Sequence, residues 1–475
     1  MINSFHSSID IVSFLSGWDF LVLLVFAGTF LFSPKLISCF KKQKNSNNEF
    51  LLMSRDLGLA LFVATLTSTW YGGIFGVTQI AFEKGLYSFF TQGLSWYSAY
   101  LIFALFIAKK IRKSNARSLP ELIGMRFGLH ARKLSALILF FHALPVTYAL
   151  SIGILIQILT GLSLSLSVFF GVLLVTIYSL FGGLRAIVIT DALQFLLMFI
   201  SVMMVVLYSF YSFGGLGFLE TQLPNHYFDW HGNQNPLDVL LWFLVACSTT
   251  LIHPVFYQRC LAAKNDSTAF FGILCAIILW IVFDCCTTLG GMYAKAIIPQ
   301  SPSEQAYLYY GVQLLPAGLR GFFIAGLMAV ILSTLDSFLF VSGTSISYDF
   351  LSANNDSLMN HRIMIGISGV VVIGIALLFG TNFEALWLFM EATFSVVLFF
   401  PVMATLFSST SYSQRFFFAG AITSFASYAL ISMTAHKSEH SFLAFFLAHL
   451  VNVICLLLGL YMRAKSKTKL AVFPN

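Results

Sequence analysis

The sequence predicts an all-α, polytopic membrane protein of about thirteen transmembrane helices, and three observations carry that prediction. First, 58% of the 475 residues are hydrophobic and only 9% are Asp, Glu, Lys or Arg, against about 25% charged residues in a soluble domain. Charges this sparse cannot wet the surface of a globular protein of this length. Second, apolar runs of about 20 residues, the length that crosses a hydrocarbon core, recur along the whole chain. Third, the basic residues alternate with those runs. All of the 26 Lys and Arg residues except Lys84, Lys295, Arg320 and Lys437 fall on one side of a thirteen-span arrangement. Adding or removing one span would scramble that asymmetry.

Taken in order, span one (18–35) is a plain apolar run followed by Lys35, Lys41, Lys42, Lys44 and Arg55. Span two (56–81) carries Thr65, Thr67, Ser68, Thr69, Gly72 and Gly73 in its middle. Span three (88–108) opens onto the most basic loop region, from Lys109 to Lys133, read as a topology anchor. Spans four (134–160) and five (164–182) lead to Arg185, and span six (188–212) to an outer loop at 213–235. Span seven (236–256) ends before Arg259 and Lys264, which precede span eight (267–293). Span nine (319–346) contains Ser333, Thr334, Asp336, Ser337, Ser342, Gly343 and Ser345. Spans ten (362–380), eleven (384–407), twelve (415–434) and thirteen (441–462) follow, with Arg463, Lys465, Lys467 and Lys469 in the tail. The positive-inside bias puts the amino end outside and the carboxyl end in the cytoplasm, in the cell's inner (plasma) membrane. No basic region precedes the first apolar stretch, so no cleaved secretory signal is expected.

The same reading excludes several classes. A net charge of +7 placed at membrane edges does not make a nucleic-acid surface. The Cys residues at 39, 247, 260, 275, 285, 286 and 455 have neither paired spacing nor His neighbours in sequence, which argues against a zinc site or a disulfide framework. No nucleophile–base pair is legible, so enzyme activity is not expected, and no repeated filter loop marks a channel.

Spans two and nine are poor plain anchors. Hydroxyls and glycines can serve as close helix contacts, but two such spans suggest broken or kinked helices whose freed carbonyls coordinate a ligand. Asp191, Asp284, Asp336 and Glu391 are placed within or at the edge of spans. A buried carboxylate is costly unless paired, protonated or bound to a cation, so each is a functional candidate.

Five stretches resemble the sodium/solute symporter family, that of the proline, pantothenate, sialic acid and sodium/glucose carriers. They are Ala64–Trp70 with Gly72-Gly73 and Gly76; Ser118-Leu-Pro-Glu121 with Arg126-Phe127 and Leu134–Ala136; Tyr178 through Gly182-Gly183, Arg185 and Thr190-Asp191 to Gln194; Pro254 with Tyr257-Gln258-Arg259 and Ala262–Lys264; and Ala329–Ser337. The resemblance covers about residues 15–435. It implies a leucine-transporter-type fold of two inverted five-helix repeats after one extra span. Residues 1–55 would be the extra helix and cytoplasmic loop, 56–212 the first repeat, 213–235 an extracellular loop, 236–407 the second repeat, and 408–475 two peripheral helices and the tail.

On a helix, Val330, Ser333, Thr334 and Ser337 share one face, and neutral carbonyls and hydroxyls suit a sodium ion that must also leave. The resemblance implies a sodium site of the Val330 carbonyl, the Ser333 and Thr334 hydroxyls, and the carbonyls of Ala64 and Thr67. The alternative for the hydroxyls is back-bonding to their own helix. Asp191 and Ser337 match part of a second sodium site, but Asp336 stands where two-sodium members carry Ser. Asp191 is read either as a gate partner, paired with Arg185 or another inner basic residue, or as that second site. Thr69, Trp70, Tyr71, His142, Tyr148, Trp242 and Glu391 are the substrate-site candidates by location. Glu391 either meets a substrate ammonium or pairs internally. Leu144 stands where proline carriers have Tyr, and Pro145 alters that helix, so proline is not carried over as substrate.

The function expected is sodium-coupled uptake of a small polar organic solute by alternating access, by a chain acting as a monomer with Na+ as coupling ion. The alternatives are a proton-coupled carrier of the same fold and a non-transporting solute sensor.

Overall fold

The computed structural model describes residues 10–40, 46–114, 116–351, 357–379, 383–408, 410, 412–434 and 438–472. Among the described residues the secondary structure is helical, apart from one isolated parallel bridge between Leu57 and Ala263. Ten helices among the described residues are long and apolar enough to cross a membrane. The three other expected spans correspond to shorter apolar helices, Gly17–Thr29, Leu59–Ser68 and Leu164–Ile177. The exterior is itself apolar: Leu378 and Val370 are 83% and 71% exposed, as a surface solvated by lipid tails requires. The chain is an all-α, multi-pass membrane protein.

The 164–213 helix is too long for one crossing, since 50 residues would extend about 75 Å. It turns at Gly183, whose φ of 58° a side chain would resist. A Cβ there would also meet Phe50, 2.8 Å from its ring and 3.0 Å from its carbonyl oxygen. Span six then starts at Gly182.

Three spans are interrupted, each for a legible local reason. Span two is Leu59–Ser68 and then Ile74–Lys84. Between them Thr69 turns its hydroxyl back onto the Thr65 carbonyl, while Gly72 and Gly73 propagate a helix poorly. Span four is Leu129–His142 and then Val146–Thr160; Pro145 lacks the N–H needed to continue. Span seven is Pro236–Thr250 and then Pro254–Ala262. Pro254 forces His253 into extended backbone, with φ −66° and ψ 120°, and then occupies the first helical position, which suits it.

Span nine, expected to be broken or kinked, is continuous from Leu319 to Thr344 and runs on as a π-helical turn, Ser345–Leu351. Its hydroxyls return to their own helix: Ser333 and Thr334 to the Val330 carbonyl, both at 3.1 Å, and Ser342 to that of Leu339 at 3.0 Å. The second broken helix is span seven, five spans after span two. Span seven also extends to Ala262, which takes Arg259 out of the expected loop and into the protein.

The end that carries most basic residues is tied shut. Arg132 Nε lies 2.9 Å from Asp349 Oδ1, which also accepts from the Ser118 hydroxyl at 2.7 Å. Glu121 accepts from the Arg117 amide at 2.6 Å and from the Tyr348 hydroxyl at 3.1 Å. Arg185 pairs with Glu49. Beneath this latch lies a cavity of about 40 Å³ lined by Ser118, Gln258, Thr344 and Asp349, room for little more than water.

Candidate functional site

The three breaks meet at one place. The His253 ring is 5.3 Å from Trp70, which follows the first half of span two, and 5.8 Å from His142, the last residue of the first half of span four. Trp70 is enclosed by Trp96 at 4.8 Å, Tyr100 at 5.7 Å, Phe256 at 6.0 Å and Trp280 at 6.5 Å. Edge-on contacts of this kind add about 0.5–1.5 kcal/mol each beyond area burial, so the cage favours this packing of the break. Phe338 of span nine joins His253 at 5.5 Å and Tyr148 at 5.2 Å. On the far side His142 stacks on Phe394 at 3.7 Å, close to Glu391, also buried.

Below the aromatic cage, span nine presses its hydroxyls against the first break. The Ser333 hydroxyl is 2.8 Å and that of Thr334 3.4 Å from the Ser68 carbonyl, one of the orphan carbonyls of a helix end. Both hydroxyls also reach the Val330 carbonyl. Two carbonyls and two hydroxyls thus converge, a neutral hard-oxygen set. Gly72 permits the approach, because a Cβ there would sit 2.6 Å from the Thr334 Cβ and 2.8 Å from the Tyr148 ring. Of the carbonyls expected from span two, that of Thr67 accepts from the Trp280 indole N–H at 3.3 Å. Ala64 is buried one turn before Ser68, and it is the Ser68 carbonyl that meets the two hydroxyls.

Asp191 has a different partner from Arg185. Arg259, with 0% exposure, brings Nη2 to 3.6 Å from Asp191 Oδ2, 2.6 Å from the Ser337 hydroxyl and 3.3 and 3.4 Å from those of Thr65 and Thr69. Thr65 also donates to Asp191 at 2.5 Å. Asp336 shares the electrostatic field of Asp191 and Arg259. The guanidinium's Nη2 is well supplied with acceptors, which offsets part of the cost of burying the pair, while Arg259 Nε and Asp191 Oδ1 have no hydrogen-bond partner among the described residues.

Of the substrate-site candidates, Trp70, His142, Tyr148 and Glu391 surround the meeting point of the breaks. Thr69 turns toward Asp191 and Arg259 instead. Tyr71 packs on Phe283 at 4.1 Å and donates to the Trp280 carbonyl at 3.3 Å. Trp242 is buried on the first half of span seven, eight residues before Thr250 and so about 12 Å from it along the helix axis. Asp284 accepts from the Tyr97 hydroxyl, on the Tyr71 side. Sequence reasoning missed His253, Arg259 as a buried charge, and the Ser68 carbonyl. The His253-Pro254 dipeptide inside an apolar run was the available signal for the first, since a proline restrains the residue before it. Nothing local distinguishes Arg259 from a loop cation.

Comparison with known proteins agrees with this architecture. A sodium/pantothenate symporter of Haemophilus influenzae is 28% identical over 134 residues, a stretch spanning 28% of each chain. A Na+-coupled sialic acid symporter, in a substrate-bound outward-open state, superposes with a TM-score of 0.76 at 15% identity, covering 93% of this chain and 97% of that one. The nucleobase-cation-symport-1 transporter Mhp1, closed with bromovinylhydantoin bound, gives 0.58 at 12% identity, over 90% and 96%. The fold is therefore of the leucine-transporter type. The profile of the Sodium:solute symporter family matches residues 50–427, and the chain belongs to that family, one of carriers rather than catalysts.

Proposed function

We propose that this protein is a secondary active transporter that couples sodium entry to uptake of a small solute by alternating access. One observation carries the reading: the Ser333 and Thr334 hydroxyls and the Val330 carbonyl of continuous span nine converge on the Ser68 carbonyl at the break of span two. A sodium ion there, joined by the carbonyls of Ala64 and Thr67 as the span turns, bridges a rigid helix to a hinged one. Sodium thereby stabilises the arrangement in which Trp70, His142, Tyr148 and His253 face one another, and solute and sodium bind with reciprocal coupling. The membrane potential contributes about 2.3 kcal/mol per positive charge per 100 mV.

Spans two to six and seven to eleven are the two repeats in this reading, supported by their breaks five spans apart. The latched basic end faces the cytoplasm by the positive-inside bias, and one chain suffices. Asp191 and Ser337 serve as partners of Arg259 rather than as a second sodium site, because the guanidinium already supplies the positive charge between them.

The test is thermal stabilisation and proteoliposome uptake across a solute panel, with sodium replaced by potassium. The expected result is a solute that stabilises and accumulates only in sodium, and whose sodium dependence disappears in Ser333→Ala/Thr334→Ala. A solute bound equally well in potassium, with the double variant unchanged, rules the coupling out.

A further inference from the structure

The meeting point of the three breaks contains a donor set that sodium coupling does not use. One ligand atom each of His142, His253 and Glu391 lies within 4.8 Å of the others, and all three side chains are buried. Neither ring nitrogen of His253 has a hydrogen-bond partner among the described residues, and the His142 ring has only a poorly aligned approach to the Met390 backbone. Buried imidazoles normally satisfy at least one nitrogen, and leaving a buried polar group unpaired costs about 1–3 kcal/mol. Two adjacent buried rings with at least one nitrogen each left over point to a ligand that takes electron pairs from both.

We infer that His142, His253 and Glu391 form a binding site for a divalent first-row transition-metal ion, with at least one coordination position left to the solute's own donor atoms or to water. Two neutral imidazoles and one carboxylate suit zinc, cobalt or nickel and disfavour calcium and magnesium, which demand oxygen ligands. Nitrogens bound at about 2.0–2.1 Å to one metal stand some 3.3 Å apart in a tetrahedron, so the cluster closes by on the order of 1.5 Å at most to hold an ion. The surroundings allow that movement to be small. The stack on Phe394 keeps the His142 ring in place, and His253 sits in the non-helical joint of span seven rather than inside a helix.

The three ligands come from spans four, seven and eleven, so no spacing rule applied to the sequence finds them, and the expectation of no zinc site rested on the spacing of the cysteines and their lack of His neighbours. The inference rests on the reading of this point as the solute site. It narrows the solute to a transition-metal ion or a small molecule that chelates one.

The experiment is Co2+ titration of the full-length purified protein in nanodiscs, read by visible absorption and then by Zn2+ displacement. The expected result is one Co2+ per chain with a nitrogen/oxygen ligand spectrum, at least about 100-fold weaker in His142→Ala and in His253→Ala, since loss of outer-shell partners alone costs 10–100-fold. Glu391→Gln should weaken it as well, and Ser333→Ala/Thr334→Ala should leave it intact. A shift of the Co2+ spectrum with free histidine or citrate that stays with the protein after gel filtration identifies a chelated solute; a protein-bound spectrum that is unshifted identifies the bare ion. Because the spectrum is read first on the unmodified protein, poor folding of a variant does not leave the site untested. No Co2+ spectrum, or a stoichiometry unchanged in both histidine variants, overturns the metal site. If a metal-free solute still stabilises only in sodium, the carrier reading stands without it.

Discussion

Gly72 is the residue on which the proposed sodium site depends most directly. A methyl group there meets the Thr334 Cβ and the Tyr148 ring, and a β-carbon on a packed helix cannot swing aside. Gly72→Ala is expected to cost about 1–3 kcal/mol by overpacking and to remove sodium-dependent stabilisation while potassium controls shift only in baseline; paired thermal melts measure both. Arg259 makes a second residue-scale prediction. Removing it strands Asp191 in the interior, so Arg259→Met is expected to destabilise by about 3–5 kcal/mol. Arg259→Met/Asp191→Asn should recover a substantial part of that loss. Strictly additive effects in denaturation of the single and double variants would show the pair to be energetically uncoupled.

At the scale of elements, the breaks differ in what holds them open. The gap in span two is packed inside the Trp70 cage, whereas that in span seven depends on a single proline. Replacing it removes the restraint on His253 and restores an N–H, so the two halves can join as one helix. Pro254→Ala is expected to keep the protein folded, with an unchanged or higher melting temperature, and to lose solute-dependent stabilisation because His253 leaves the meeting point. Retained solute binding in that variant would mean that the cage, not the proline, sets the joint.

For the whole molecule, alternating access requires the latched basic end to open. Arg132 and Asp349 join the start of span four to the end of span nine across a cavity of water size. Asp349→Asn weakens a pair that is only partly exposed, and a change of about 1–2 kcal/mol moves a two-state equilibrium 5–30-fold. The expected outcome is faster labelling of a Thr344→Cys probe from the basic side, in a background lacking the natural cysteines. Sodium should slow that labelling again. An unchanged rate would place the controlling contact elsewhere, with Arg185 and Glu49 the next pair to test.

By itself the sequence determined the membrane class and the family-like stretches, because hydropathy and the motif residues are local properties of the chain. Ser333, Thr334 and Val330 were legible on one helical face for the same reason. The tertiary structure decided which helices break and which groups meet. The hydroxyls of span nine look like a break in sequence, yet they bond back to Val330 and Leu339 and leave the helix whole. The proline of span seven, unremarkable in an apolar run, opens one. Arg259 reads as a loop cation until the second half of span seven carries it inside to Asp191. His142, His253 and Glu391 are far apart in the chain, and only the convergence of three spans makes them neighbours, since pairing between distant segments is set by packing and not by spacing.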